Sequence, residues 1–382
     1  MSAPTGILRD TIAERRNRGV EMDGLGRILA SETNVSDLLA YFTEEDPSPW
    51  VELIGKAPAR VIREGRASTA KRADLLLQDE SGATVGAVEV KLGHHLSQEQ
   101  SDWYTTTFEA DVPLLLASLD PVDERVELPD PRWSALLLSD LMGRWTGSSV
   151  HEVAVLAASV TAILTAWSTQ VAAVSTGMGG RAEEPLATIS DPFLGRVLTR
   201  ALVPGVRSEG AEAVYTGVTS GGGNPLLAAW RTFRNRPSEH CVIAEVRWQP
   251  EHQNMVLRFG VDVDGTGREA REAAWQLATT LDSAIRADEF AAHLHEIDPE
   301  RAELLVLAKR SGRPTAKGDW GEIVQKGFER GDGSRYNPGF HRDGDTRFEA
   351  SLRIDTTRAT GPDVVALLGH ALAYLREREE RA

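Results

Sequence analysis

The chain has 382 residues, 57 acidic side chains against 42 basic ones, a net charge of −15 and one cysteine, Cys241. That acidic balance excludes a protein that coats nucleic acid non-specifically, because phosphate contacts need cations. A lone cysteine excludes an intramolecular disulfide and suits a reducing cytoplasm, and the length suits two domains.

A helical pattern over residues 7–30, interrupted near Gly19 and Gly24, opens the chain without the apolar core of a signal peptide. Ser31 is placed to cap a helix over residues 32–42. Glu32 in its first turn is favourable to the helix dipole alone, so its acidity does not by itself mark function. A strand is expected near Val61. Arg60, Arg63, Arg66, Lys71 and Arg72 follow with only Glu64 opposing them, a basic run that suits a phosphate backbone as well as solubility.

Residues 73–78 and 83–90 read as two strands around the turn-type cluster Asp79, Glu80, Ser81 and Gly82. A helix follows from Ser97. Residues 112–119 form a continuous apolar run that fits a buried central strand. Residues 133–138 read as another strand, with a short helix from Ser139. Residues 153–180 carry no charged side chain, a length that could span a bilayer. Their Ala, Ser and Thr content lacks the density of large apolar groups that drives insertion, so a helix buried against the sheet is expected and no membrane association.

The Gly- and Pro-containing stretch 176–192 is the expected linker between a first domain, residues 1–175, and a second, residues 193–382. In the second, residues 240–249, 255–264, 302–308 and 346–354 read as strands. Residues 269–297 read as one long amphipathic helix or a pair, and 362–378 as a closing helix. Gly221, Gly222 and Gly223 lack a following Lys-Ser/Thr pair and read as a loop, not a phosphate cradle.

The chemistry concentrates between Ala73 and Tyr104. If Ser81 and Gly82 form a two-residue hairpin loop, Glu80 pairs with Ala83 and the ladder sets Asp74 opposite Glu89. Carboxylates so paired lie close enough to share a metal ion. Lys91, two residues after Glu89, projects from the same face. Mg²⁺ (or Mn²⁺) takes one or two carboxylates and keeps its waters, so Asp74 and Glu89 are the candidate ligands, with the Val90 carbonyl as a third. Lys91 would orient or deprotonate an attacking water and stabilise charge developing on a phosphate. Gln100 and Tyr104, one helical turn apart, share a helix face near Lys91. His94 and His95 sit in the intervening bend. A Glu two positions before a Lys is common by chance in so acidic a chain, and an ordinary solvated hairpin is the competing reading.

Asp74, Glu89-Val90-Lys91 and the Gln100/Tyr104 spacing together resemble the PD-(D/E)XK nuclease superfamily, in the bacterial branch with a QxxxY helix after the Glu-X-Lys strand. Upstream, Glu32, Asn34, Ser36 and Leu39-Ala40, followed by Asp46-Pro47, resemble the first helix of such families. Arg72-Ala73-Asp74-Leu75 resembles their Arg-Ile-Asp-Leu strand. Two departures stand: Ala73 replaces the proline before the first Asp, and Ser48-Pro49-Trp50-Val51 replaces a His-Gly segment.

The resemblance, over about residues 20–145, implies an α/β first domain with a restriction-endonuclease-like mixed sheet flanked by helices, beside an α+β second domain for target recognition or dimerisation. It implies a metal-dependent nuclease acting on DNA, with RNA as an allowed substrate and a homodimer as an allowed assembly, and a role in defence against foreign DNA. Glu32 would join the catalytic residues Asp74, Glu89 and Lys91 as the acidic residue that the first helix points at the metal site. Gln100 and Tyr104 would support the site and contact substrate phosphate, and Arg72 and Lys71 would also meet the substrate. The alternative is a non-catalytic protein of the same fold that binds nucleic acid or a protein partner.

Overall fold

The computed structural model describes residues 24–65, 72–93, 96–119, 130–175, 184–219, 223–234, 236–265, 268–281, 283–307 and 346–381. The first expected helix is described only from Gly24, and the expected linker only from Glu184 onward. The chain is α/β and divides into two compact units, the first ending at Ala172 and the second beginning at Ala173.

In the first unit α1 (Gly24–Leu29), α2 (Glu32–Glu45) and α3 (Val51–Ile54) precede β1 (Arg60–Gly65), β2 (Ala73–Gln78) and β3 (Thr84–Lys91). Then come α4 (Gln98–Thr107), β4 (Leu114–Ser118), β5 (Trp133–Leu137), α5 (Leu138–Gly143) and α6 (His151–Ser175). The five strands make one sheet in sequence order. β1, β2 and β3 pair antiparallel, whereas β4 and β5 run parallel to β3. Parallel strands sit inside a sheet covered on both faces, and all five residues of β4 are buried accordingly.

The hairpin between β2 and β3 departs from the expected turn in an instructive way. Asp79 N–H bonds the Ala83 carbonyl, leaving three residues in the loop. Gly82 takes the left-handed conformation at φ 83°, which only glycine adopts freely. Asp79 Oδ1 accepts from the Ser81 and Ala83 amides and holds the turn. A three-residue loop shifts the register by one, but a bulge at Leu77/Gln78 restores it, so that Leu75 faces Val88. The next pair along would be Asp74 and Glu89, the expected juxtaposition.

Even-numbered residues of β2 and odd-numbered residues of β3 share one face of the sheet. There Leu76, Ala87, Leu114 and Leu116 pack with Leu96, Tyr104, Phe108 and Trp133, so α4 covers the face that carries Asp74, Glu89 and Lys91. Arg132 ties down the end of α4 by donating to the Thr105, Phe108 and Glu109 carbonyls while its guanidinium pairs with Asp130. Arg132→Ala strips these partners from helix-end carbonyls and is expected to cost about 1–3 kcal/mol, read from the denaturant midpoint. An unchanged midpoint would mean water replaces the guanidinium without loss.

Among the described residues one helix, α6, is long and apolar enough to cross a membrane. It buries a stripe, Val153, Ala157, Val160, Leu164 and Trp167, at alternating spacings of four and three, and Ser168 Oγ bonds the Leu119 carbonyl beyond β4. The opposite side is not buried: Val155 is 54% exposed.

The second unit begins with α7 (Pro192–Ala201) and α8 (Val203–Ser208), then β6 (Ala213–Val218), β7 (Pro225–Thr232), β8 (His240–Gln249) and β9 (Asn254–Val263). α9 (Arg268–Thr280), α10 (Ala287–Ile297), α11 (Pro299–Ala302), β10 (Leu305–Val306), β11 (Thr346–Ile354) and α12 (Gly361–Arg381) follow. Its six strands form a separate antiparallel sheet in the order β10-β11-β9-β8-β7-β6. The expected long helix over residues 269–297 is a pair, α9 and α10, and β6 and β7 were not anticipated. One sheet face is apolar, where Phe259 meets Phe290 of α10 and Tyr374 of α12. The other carries charged residues that are nonetheless buried: Glu245 and Asp262 each pair with Arg347.

Candidate active site

The β2–β3 ladder ends at Leu75 and Val88, one pair before the functional residues. Beyond that point the Val90 amide has no strand partner on its β2 side and donates instead to Asp74 Oδ2 at 2.8 Å. A strand residue directs its N–H and C=O toward the same edge, so the Val90 carbonyl faces Asp74 as well. Opening the ladder here is what frees a carboxylate and a main-chain oxygen side by side.

Glu89 lies at the centre and is only 3% exposed. Lys91 Nζ lies 2.7 Å from its Oε1, and Gln100 Nε2 donates to the same oxygen at 3.2 Å. The Tyr104 hydroxyl donates to Oε2. A buried carboxylate needs such partners, because an unpaired charge away from water is very costly. Gln100 does two things at once. Its Oε1 accepts from the Ser97 amide, closing a capping box at the start of α4, while its amide nitrogen reaches Glu89. Capping and function are therefore not competing readings of Gln100 here.

Glu32 is brought to the site from the N-terminus of α2. Its Oε1 accepts from the Leu92 amide at 3.0 Å, sixty residues away in sequence, and its Oε2 lies 4.0 Å from Lys91 Nζ. Ser31 caps the same helix through the Asn34 amide, so the cap fixes the turn from which Glu32 reaches the sheet.

The electrostatics follow from three carboxylates around one ammonium. Burial and then the Glu89 charge push the Asp74 carboxyl up to about 7. Burial pulls Lys91 down, but Glu89 and Glu32 outweigh it and hold the ammonium above the usual lysine range. Burial, then the Glu89 charge, keep the Tyr104 phenol well above its ordinary value, so it stays a donor.

Because the folded Asp74 binds its proton more tightly than an unfolded aspartate does, it favours folding below about pH 4. That contribution is lost as pH rises through about 7. Without metal, Asp74→Asn is therefore expected to be more stable than the parent at pH 8, on the order of 2–4 kcal/mol, and nearly equal to it at pH 4. Thermal unfolding at the two pH values checks this, and an equal gain at both would remove Asp74 ionisation as the cause.

The donor set can be tested against the metal that the resemblance implies. Among the described residues no three His, Cys, Asp or Glu side chains are grouped to cage a metal ion. A cation here would have Asp74, Glu89 and the Val90 carbonyl, completed by water. That set fits Mg²⁺, which tolerates few protein ligands, and not a structural zinc site. In the structure the Lys91 ammonium supplies the positive charge that Glu89 requires.

Of the basic run, the described Arg60 and Arg63 do not lie beside the site. Arg63 faces the opposite side of the sheet, where it pairs with Asp37 of α2. Arg60 pairs with Gln78, at the far end of β2 from Asp74. Arg72 is exposed and adjoins the site strand, whereas Lys71, Arg66, His94 and His95 lie outside the described residues. One residue was missed. Ser118, 3% exposed, pairs with Lys91 across β3 and β4 and so shares its face. Within an apolar run nothing marks it; only the parallel register does.

Compared with protein-family models, curated proteins and solved structures, the chain matches none.

Proposed function

We propose that the first unit is a Mg²⁺-dependent phosphodiesterase, a nuclease of the PD-(D/E)XK type acting on DNA. The observation that carries this reading is the convergence of Asp74, Glu89 and Lys91 on one sheet face, with Glu89 oriented by Gln100 and Tyr104. Asp74 and Glu89 would hold the cation beside the Val90 carbonyl. A bound Mg²⁺ would supply Lewis-acid polarisation of the phosphate and a more acidic water.

The chain's own groups do the rest. Lys91 would present its ammonium to the phosphate oxygens, where charge accumulates in the transition state. Glu32 anchors the Leu92 amide and so fixes the end of the strand that bears Lys91. Gln100 and Tyr104 act on Glu89, holding its carboxylate plane, which is the supporting role the resemblance implies. Arg72 is the described cation best placed to meet a phosphate backbone.

The burial of Glu89 and Lys91, at 3% and 7% exposure, favours one second reading. In it Glu89, charge-balanced by Lys91, only anchors α4 to the sheet through Gln100 and Tyr104, and the protein binds nucleic acid or a protein partner without cutting. Incubating linear, circular and single-stranded DNA with Mg²⁺ or Mn²⁺ separates the two. Metal-dependent cutting that disappears in Lys91→Ala supports the nuclease, and cutting that survives in that variant removes the assigned site.

A further inference from the structure

The two edges of the second unit's sheet are finished differently. β10, at one edge, is two residues long, whereas β6, at the other, runs for six residues without a charged side chain or a proline. Sheets blunt exposed edges with short strands, charges, prolines or bulges, because unpaired main-chain groups recruit another strand. β6 has none of these devices and pairs with β7 in unbroken register. The adjoining acid, Glu212, does not guard the edge, since its carboxylate accepts from the Thr232 amide and hydroxyl on β7.

Pro225 fixes which groups face outward. It stands opposite Val218 and has no N–H, so that pair cannot exchange hydrogen bonds. The next residues do bond, Thr219 N–H to the Asn224 carbonyl. Bonding pairs alternate along an antiparallel ladder, so Ala213, Tyr215 and Gly217 bond β7. Val214, Thr216 and Val218 therefore each turn an N–H and a C=O to the open edge. Among the described residues no backbone group pairs with these outward ones. Tyr215 is 53% exposed and Val218 39%.

The strand is complementary to itself. With an antiparallel copy placed about a two-fold axis at Thr216, Thr216 meets its own counterpart and Val214 meets the copy's Val218. Every outward group then has a partner. The same register sets Tyr215 opposite the copy's Gly217. Within one strand Tyr215 already lies over Gly217, where an added Cβ would collide with the phenol oxygen. Glycine at 217 thus leaves room on both strands, and the two rings run side by side in opposite directions. Aromatic neighbours across strands stabilise a sheet. A strand of unrelated sequence would satisfy the main chain but lack this reciprocal fit.

We propose that β6 is a dimer edge, through which two copies of the chain pair antiparallel about Thr216 and join their six-stranded sheets into one. The pairing does not rest on the nuclease reading, since it uses only the second unit.

The test is sedimentation velocity of the full chain across the micromolar range. The parent is expected to sediment as a dimer. Tyr215→Lys, an exposed change that brings two ammonium groups together across the axis, is expected to weaken dimerisation at least tenfold. Val218→Pro removes an amide that bonds nothing within the chain, as edge strands tolerate, yet takes a donor from each copy in the pairing. It is expected to weaken the dimer by a similar factor. Thermal unfolding checks that both variants fold. A dimer that persists unchanged in the folded variants overturns the proposal. So does a parent that stays monomeric at high micromolar concentration, which would leave the edge to a strand from another protein.

Discussion

Lys91→Ala is expected to lose both stability and catalysis, and the two losses can be pulled apart. Removing the ammonium leaves Glu89 buried with only the Gln100 and Tyr104 donors. Breaking a buried ion pair from one side costs about 3–5 kcal/mol, because a charge is left uncompensated. Glu89→Gln/Lys91→Met removes both charges and is expected to regain most of that stability. The double variant remains inactive, since neither the carboxylate nor the cation is present. Denaturant unfolding and DNA cleavage, measured on parent, single and double variants, check this together. A double variant no more stable than Lys91→Ala would show that the uncompensated Glu89 charge is not the cause of the loss.

Tyr104→Phe carries the second large effect. The phenol is 1% exposed, and its hydroxyl donates to Glu89 Oε2 and also meets the Asp74 backbone amide, so the change removes the bond to Glu89, that backbone contact and little volume. A hydrogen bond to a charged group contributes about 1.5–3 kcal/mol. If Glu89 is a metal ligand, loss of the group that orients it is expected to weaken metal affinity about 10–100-fold. Metal titration of the folded variant reads this directly. Weakened stability with unchanged metal affinity would make Tyr104 a packing residue only.

Much of the site was readable from residue order, and the reasons are local. Asp74, Glu89 and Lys91 are fixed on one face by the two-residue period of strands, which any antiparallel hairpin imposes. The loop length was misjudged by one, yet the bulge at Leu77/Gln78 compensated, so the juxtaposition survived. Compensation of that kind is a three-dimensional property that a turn sequence does not encode. Glu32 was ambiguous because a first-turn acid is favourable in any helix; only the long-range bond to Leu92 separates the roles.

The second unit was read less well for physical reasons. β6 and β7 flank a glycine-rich turn, and β7 begins with Pro225, which demotes a strand pattern. Alternation along β8 and β9 suggests a solvated polar face, but Glu245, Asp262 and Arg347 are buried because they neutralise one another across strands. Charge pairing between β8 and β11, about a hundred residues apart, leaves no trace in a local window.

The most direct test of the central claim needs no substrate. Mn²⁺ binding at pH 8, followed by electron paramagnetic resonance on the parent and on Asp74→Asn, asks whether these carboxylates form a cation site at all. One bound ion in the parent, lost or weakened more than tenfold in the folded variant, is the predicted result. A folded parent that binds no Mn²⁺, or a variant that binds it equally well, would contradict the metal-dependent reading and leave the site as a buried ion pair.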